Sequence, residues 1–477
     1  MTAPPRFAVV GHPNKGKSSI VATLAQNDGI AIALEPGTTR DSHRYPLSVD
    51  GHVLYELIDT PGFQRPRRVL AWLQAHSASA SDRPETVRAF VTQHRDDPRF
   101  HDECELLTPI LEGAGILYVV DGAVPYSPEQ EAEMEILRWT GRPSLALINR
   151  IGDGDHLADW RAALGQYFQI VRDFDAVNAP FDTHLSLLRG FGQLAPDWEG
   201  PLEEAANHLR DQRHHRQHRA LALIAEALAD MLTHAESARF GEHDNRDALE
   251  HDLARRWRDR QRQREQSLRR DVEALYRHRH LHRREQALDW EPGQDLFSDQ
   301  ARRAWGVSRT YLATAGFGAG ALGGAGIDAL AAGHSLGTGA LIGGVLGAAG
   351  SLYYGGKYAD KLGALKLLAP LAGGGRRAEF GPVRDPQFGY VVLGRALEHW
   401  FQVSHRNHAG RAPLTLDHGD RHWLEQLPRA DRQRLQKALQ NPPRHPSDGK
   451  RRQALEQAVE NAGGAFLQWR SGNEDSE

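Results

Sequence analysis

The sequence predicts an α/β domain with a mostly parallel sheet, followed by a mainly α-helical region that contains a glycine-rich helical hairpin. Three observations predict it. From Arg6 to about Trp198, short β-rich apolar runs alternate with helical patterns. From about Pro201 to Trp305, arginine, glutamate, histidine and glutamine dominate, with apolar residues such as Leu221, Ile224, Leu228 and Leu232 at helical spacing. Between Tyr311 and Tyr354 glycine and alanine take over, and Asp328 carries the only charge.

In the first region Phe7–Val10 reads as a strand and Ser18–Ala25 as the helix after it. Tyr45–Val49 and Val53–Ile58 flank Asp50-Gly51, a dipeptide suited to the tight turn of an antiparallel hairpin. Gly115–Val120, Ser144–Ile148 and Gln169–Phe174 supply three more strands. The polar stretch from Gly62 to about Glu103 exceeds an ordinary connection and reads as an insertion. The expected organisation is a domain over 1–200 with an insertion at about 63–103, a charged helical region over 201–305, a glycine-rich apolar hairpin over 306–372, and a helical region over 373–477 in which Trp400, Trp423 and Trp469 serve core or contact roles.

A net charge of -4 excludes a bulk polyanion binder, so any basic surface must be local. One cysteine, Cys104, excludes an intrachain disulfide and any thiolate metal site, and its polar surroundings suggest an inert or mildly exposed thiol. Met1 to Arg6 has neither a basic nor an apolar leader pattern, which places the first domain in the cytoplasm.

Gly11-His12-Pro13-Asn14-Lys15-Gly16-Lys17-Ser18 matches G-x-x-x-x-G-K-[ST] between a strand and a helix, so the fold class sharpens to a P-loop nucleoside-triphosphatase with a Ras-like sheet. Backbone N–H groups of such a loop face phosphates at a helix N-terminus. The expected phosphate-binding set is Gly11, Asn14, Lys15, Gly16, Lys17, Ser18 and Ser19, with Lys17 reaching the β- and γ-phosphates and Ser18 ligating magnesium. Asp59-Thr60-Pro61-Gly62 puts a magnesium-side carboxylate and a γ-phosphate-sensing glycine at a strand end. Gly37-Thr38-Thr39-Arg40-Asp41 offers a further hydroxyl, Thr39 for the metal with Thr38 in reserve.

These three motifs resemble the TrmE–Era–EngA group of GTPases over roughly the first 200 residues. The resemblance implies GTP and GDP as ligands, slow hydrolysis, and a hydrophobic residue, here Phe63, where Ras-like proteins keep a catalytic glutamine. It also implies that Asn14 holds a potassium ion in place of an arginine finger; the alternative is that Asn14 only stabilises the loop. Lys17, Thr39 and Asn14 are then the catalytic candidates. The group reads guanine with Asn-Lys-x-Asp, but here Asn149-Arg150-Ile151-Gly152-Asp153 puts Gly152 at the aspartate position, leaving Asp153 as the stand-in and Asp155 as a poorer one. Asn178-Ala179 reads as an ordinary loop or a degenerate last guanine motif.

In the apolar stretch Gly316, Gly320 and Gly324, and again Gly339, Gly343 and Gly347, recur every fourth residue, which lines one helix face for close helix contact. Leu336–Tyr354 is a nineteen-residue uncharged run followed by Lys357 and Lys361. This points to a membrane lipid or membrane-protein partner at the inner membrane; burial inside the helical region, or a linker, is the alternative. The whole architecture is similar to a family of bacterial proteins in which such a GTPase precedes a helical domain with a glycine-rich centre.

The histidines at 214, 215 and 218, and at 278, 280 and 282, read as solvated faces, not metal ligands. The run Arg255, Arg256, Arg258, Arg260, Arg262, Arg264 is interleaved with Asp259, Glu265 and Asp271, so a salt-bridged helix outweighs an RNA or lipid surface. A membrane-associated GTPase switch is the leading expectation, and a ribosome- or RNA-bound assembly GTPase the rival.

Overall fold

A computed structural model describes residues 4–13, 15–26, 41–49, 52–150, 154–241, 243–276, 296–297, 365–370, 376–383, 385–407, 423–445 and 447–474. The chain divides into two compact units, Met1–His215 with Arg277–His280 and His405–Ala412, and Arg216–Tyr276 with Leu281–Ser404 and Pro413–Glu477.

The first unit is built on β1 (Arg6–Val10), β2 (His43–Val49), β3 (His52–Asp59), β4 (Gly115–Asp121), β5 (Ser144–Asn149) and β6 (Ile170–Asp173) in the order β2-β3-β1-β4-β5-β6. All neighbours pair parallel except β2 and β3, which form the expected antiparallel hairpin. Pro46, which has no N–H to give a ladder, sits on the edge strand β2. A parallel sheet must be covered on both faces, and β1 shows how: Phe7 and Val9 enter one apolar core while Ala8 and Val10 enter the other. One face carries α1 (Lys17–Leu24), α7 (Phe181–Leu194) and the start of α8 (Pro196–Thr233); the other carries α2 (Pro66–His76), α3 (Arg83–His94), α4 (His101–Leu111), α5 (Pro128–Trp139) and α6 (Leu157–Leu164).

The insertion is therefore ordered helix, α2 to α4, because Phe63, Val69, Leu73, Val87, Phe90, Leu106 and Leu107 close over one face of the sheet. Cys104 belongs to that core: burial first, then the neighbouring Glu103 and Glu105, push its thiol up to about 11, so the expected exposed or mildly exposed placement is corrected to a buried, unreactive one. The domain also runs past residue 200. Leu202, Ala205, Ala206 and Leu209 of α8 pack in the core of the first unit, and the division falls within that helix.

His184 on α7 is buried against Tyr55, whose hydroxyl donates to the Leu24 carbonyl at 2.7 Å and lies 2.9 Å from His184 Nε2. Burial pushes the imidazole down to about 4. Below a pH of about 6.5 the unfolded chain takes up a proton that the folded one refuses, so stability falls as pH drops from about 6.5 to about 4, by about 3 kcal/mol in all. Urea midpoints at pH 7 and 4.5 should show this loss in the parent and a smaller one in His184→Gln; equal losses would refute it.

In the second unit the end of α8, α9 (Arg246–Leu275), α10 (Pro386–His405), α11 (Trp423–Gln426), α12 (Arg429–Gln440) and α13 (Gly449–Glu474) share one apolar core that contains Leu221, Ile224, Leu228 and Leu232, as their spacing requires. Trp400 and Trp423 are buried in it, and Trp469 packs against it. The all-helical expectation needs one correction, a three-stranded antiparallel sheet of order β7-β9-β8 from β7 (Glu236–Phe240), β8 (Leu365–Pro370) and β9 (Arg376–Phe380). Its central strand pairs with partners more than a hundred residues away and about ten away in sequence, and each strand is too short for periodicity to reveal.

The arginine run on α9 is tied to carboxylates. Arg255 and Arg256 bind Asp252, Arg262 binds Asp259, and Arg264 reaches Asp230. Deeper in, Arg395 and Arg269 hold Glu265; burial would raise its carboxyl, but the two guanidinium groups outweigh burial and bring it to about 2. His214, His215 and His218 are exposed, and no group of side chains among the described residues could hold a metal ion. The histidines at 278, 280 and 282 and the glycine hairpin at 306–364 lie outside the described residues. Among the described residues no helix is long and apolar enough to cross a membrane.

Candidate nucleotide site

The loop between β1 and α1 is shaped by two glycines that no other residue could replace without strain. Gly11 has φ +144°, and a methyl group there would lie 2.3 Å from the Val119 carbonyl oxygen of β4. Gly16 caps α1 in a left-handed conformation, φ +81°, which turns the helix N-terminus toward the loop. Lys17, the first residue of α1, lies beneath the loop and donates from Nζ to the Gly11 and His12 carbonyls, both at 3.1 Å. Burial lowers its pKa, opposed by the carboxylates of Asp59 and Glu133.

Ser18 donates from Oγ to Asp59 Oδ2 at 2.9 Å, so the helix start and the end of β3 bring a hydroxyl and a buried carboxylate together. After Asp59, Thr60 is buried and donates to the Val9 carbonyl at 2.8 Å, and Gly62 presses on the loop so closely that a methyl group would lie 2.6 Å from the Pro13 nitrogen. Phe63 is fully buried in the core, which leaves no room for a mobile glutamine at that position.

Asn149, at the end of β5, is buried between two segments. Its amide donates to the Lys15 carbonyl at 3.4 Å and accepts the Ala176 N–H at 3.2 Å, and Thr23 of α1 donates to the Ala176 carbonyl at 2.6 Å. Lys15 also pairs with Asp121 at the end of β4, 3.5 Å away. The segment that meets Asn149 is thus Asp175-Ala176-Val177, three residues before the Asn178-Ala179 position read from sequence. Asp175 turns that segment by accepting the Val177 and Asn178 N–H groups, and no motif in the sequence marks it.

Sequence reasoning missed a second group. Glu133 of α5 is fully buried, takes His12 Nδ1 at 2.8 Å on one oxygen and the Tyr118 hydroxyl at 2.8 Å on the other, and puts negative charge near Lys17. Its only sequence signal is a charge on the apolar face of α5.

Gly11, Lys15, Gly16, Lys17, Ser18, Ser19, Asp59 and Gly62 converge at the carboxyl ends of β1 and β3, with Asn149 next to them at the end of β5. Asn14, Thr38, Thr39, Gly152 and Asp153 lie outside the described residues. A helix N-terminus, a buried ammonium group and a hydroxyl–carboxylate pair of hard oxygen donors suit a phosphate chain with a divalent cation.

The known proteins agree with this geometry. Residues 6–150 match the family described as "50S ribosome-binding GTPase", and residues 161–462 match "Domain of unknown function (DUF3482)". GTPase Der of Mycoplasma pneumoniae is 29% identical over 168 residues, which cover 34% of this chain and 32% of that protein. GTPase Der of Acidithiobacillus ferrooxidans is 29% identical over 228 residues, 48% of this chain and 42% of that one. The chain thus spans less than half the length of these relatives. A solved structure of Era in complex with MgGDPNP and a segment of 16S ribosomal RNA aligns over 37% of this chain and 52% of that one, at 19% identity and a TM-score of 0.27. With one family model covering more than half of its length and another covering the phosphate loop and sheet, the chain belongs to the DUF3482 family and carries a GTP-binding GTPase domain at its N-terminal end.

Proposed function

We propose that the chain is a magnesium-dependent, slowly hydrolysing GTP switch whose nucleotide state is relayed to a membrane through the glycine-rich segment 306–372. The observation that carries the switch is the convergence of Lys17, the Ser18–Asp59 pair and Gly62 on one loop. In this reading Gly11, Asn14, Lys15, Gly16, Ser19 and Thr38 surround the phosphates, and Lys17 neutralises them. Ser18 and Asp59, with Thr39, hold the magnesium ion; their oxygens are the donors that a small hard cation takes. The ion would neutralise charge on the phosphates when bound. Asn14 holds potassium, and Asn149 with Asp153 reads guanine, beside a loop end that Ala176 closes.

The membrane relay is supported by the uncharged run Leu336–Tyr354 and its Gly339, Gly343, Gly347 face, and would place the chain at the cytoplasmic side of the inner membrane. A ribosome or RNA partner is the second reading, favoured by the description of the family matched over residues 6–150.

Turnover of GTP by the full chain with magnesium, in potassium and in sodium, separates these readings when it is measured alone, with anionic phospholipid vesicles, and with 50S subunits. Slow turnover that is faster in potassium and rises with vesicles is expected. A rise with 50S subunits and none with vesicles would establish the second reading, and absence of turnover in every condition would remove both.

A further inference from the structure

The ordered insertion touches both loops that flank the phosphate site, and it does so through one helix. On α4, Glu103 is fully buried and accepts the backbone N–H groups of Gln64 and Arg65 on Oε1, at 3.0 and 2.5 Å. These are the residues that follow Gly62 and the buried Phe63 and lead into α2. One turn away, Glu105 Oε2 accepts the Ser42 N–H at 3.3 Å, the Glu105 carbonyl accepts the Ser42 hydroxyl at 3.0 Å, and His101 Nε2 lies 3.5 Å from Asp41. Asp41 and Ser42 end the Gly37–Asp41 loop.

Helix geometry explains how one turn reaches two loops. Positions 101 and 105 are four apart and share a face, whereas 103 lies about 200° round the axis from 101. The helix is therefore set between the two segments, holding one on each side. Its other end is tied down too, since Glu112, the residue after α4, pairs with Arg44 of β2 and accepts Arg6 at its carbonyl.

Glu103 does not look like a residue chosen for stability. Its second oxygen, Oε2, is buried without a hydrogen-bond partner among the described residues, and burial raises its pKa against the two N–H donors that lower it. A neutral glutamine would cap the same N–H groups with less desolvation but would hold them less strongly, because a charged acceptor bonds about twice as well.

We propose that α4 is a strap across both nucleotide-sensing loops, with Glu103 as a positioning residue that keeps Gly62 against Pro13, ready for the γ-phosphate, and Ser42–Glu105 as the second anchor. The strap favours the triphosphate over the diphosphate, because Gly62 meets only the former. This rests on the GTPase reading of the site: loss of all nucleotide binding by Lys17→Ala belongs to that reading, whereas the strap is tested by how well the chain tells GTP from GDP.

Kd values for GDP and for a non-hydrolysable GTP analogue, measured on the full chain, test it in Glu103→Ala, Glu103→Gln, Ser42→Ala and the Glu103→Ala/Ser42→Ala double variant, beside melting temperatures. Glu103→Ala should weaken the analogue about tenfold and GDP by no more than about twofold. Glu103→Gln should fall between it and the parent without a lower melting temperature. The double variant should lose little more than Glu103→Ala alone, because a strap released at one end no longer couples the loops. Equal losses for both nucleotides that follow melting temperature would make Glu103 a structural cap only. Losses that multiply in the double variant would make the two anchors independent. Either overturns the strap, and if Glu103→Ala does not fold, Glu103→Gln and Ser42→Ala decide the question by the same ratio.

Discussion

Lys17→Ala is expected to lower the affinity of the full chain for GTP by on the order of a thousandfold, the equivalent of about 4 kcal/mol, through the loss of charge-assisted hydrogen bonds to phosphate. The ammonium group lies beneath the loop with the Gly11 and His12 carbonyls as its partners, so it is held in place before any ligand arrives. The same substitution should cost the unliganded fold little. Burial disfavours the charged form of Lys17, and Asp59 and Glu133 only partly offset this, so removing the cation also removes a desolvation cost. Calorimetric titration with GTP, paired with a melting curve taken without nucleotide, checks both halves. Binding within about tenfold of the parent would contradict the first. A collapse of the melting temperature would show that Lys17 acts chiefly as scaffold.

Gly11→Ala should damage the first unit more than any single change outside its core. The new methyl group would meet a backbone carbonyl of β4 at 2.3 Å, and that strand is central in the sheet and cannot move aside. The backbone at φ +144° adds strain of its own. Together these should destabilise the domain by about 4 kcal/mol, a fall of about 10 °C in its melting temperature, with loss of nucleotide binding. Gly113→Ala is the matched comparison. Gly113 also has positive φ, at +108°, but the nearest atom to its added methyl group is the Arg6 guanidinium, 3.7 Å away. Strain without a clash should cost about 1 kcal/mol there. Equal losses at the two glycines would mean that backbone strain alone, and not the approach of β4, makes Gly11 necessary.

Much of the first unit was legible because its signals are local. A phosphate loop needs particular residues at contiguous positions, and a parallel strand buried on both faces must be an apolar run, so β1, β3, β4 and β5 and the loop residues between Gly11 and Ser18 could be read directly. Guanine recognition was harder to read, since the segment beside Asn149 is Asp175-Ala176-Val177, chosen by a backbone N–H and a turn that many sequences can supply. Glu133 and Glu103 were missed for a different reason. Each is a carboxylate on an amphipathic helix, and such a residue reads as solvated until its partners, one 121 positions away and the others 38 and 39, are brought against it.

From the residues alone come the α/β class, the phosphate loop, the Asp59–Gly62 strand end and the helical spacing of the second unit, because hydrophobic period and glycine placement act within a few residues. The tertiary structure decided that the insertion is ordered and touches both loops, that Cys104 is buried, that α8 carries the first core past residue 200, and that three short strands form a sheet inside a helical region. These depend on contacts between positions far apart in the chain. Such contacts form only when the apolar faces on each segment find one another, and no local pattern encodes which face that will be.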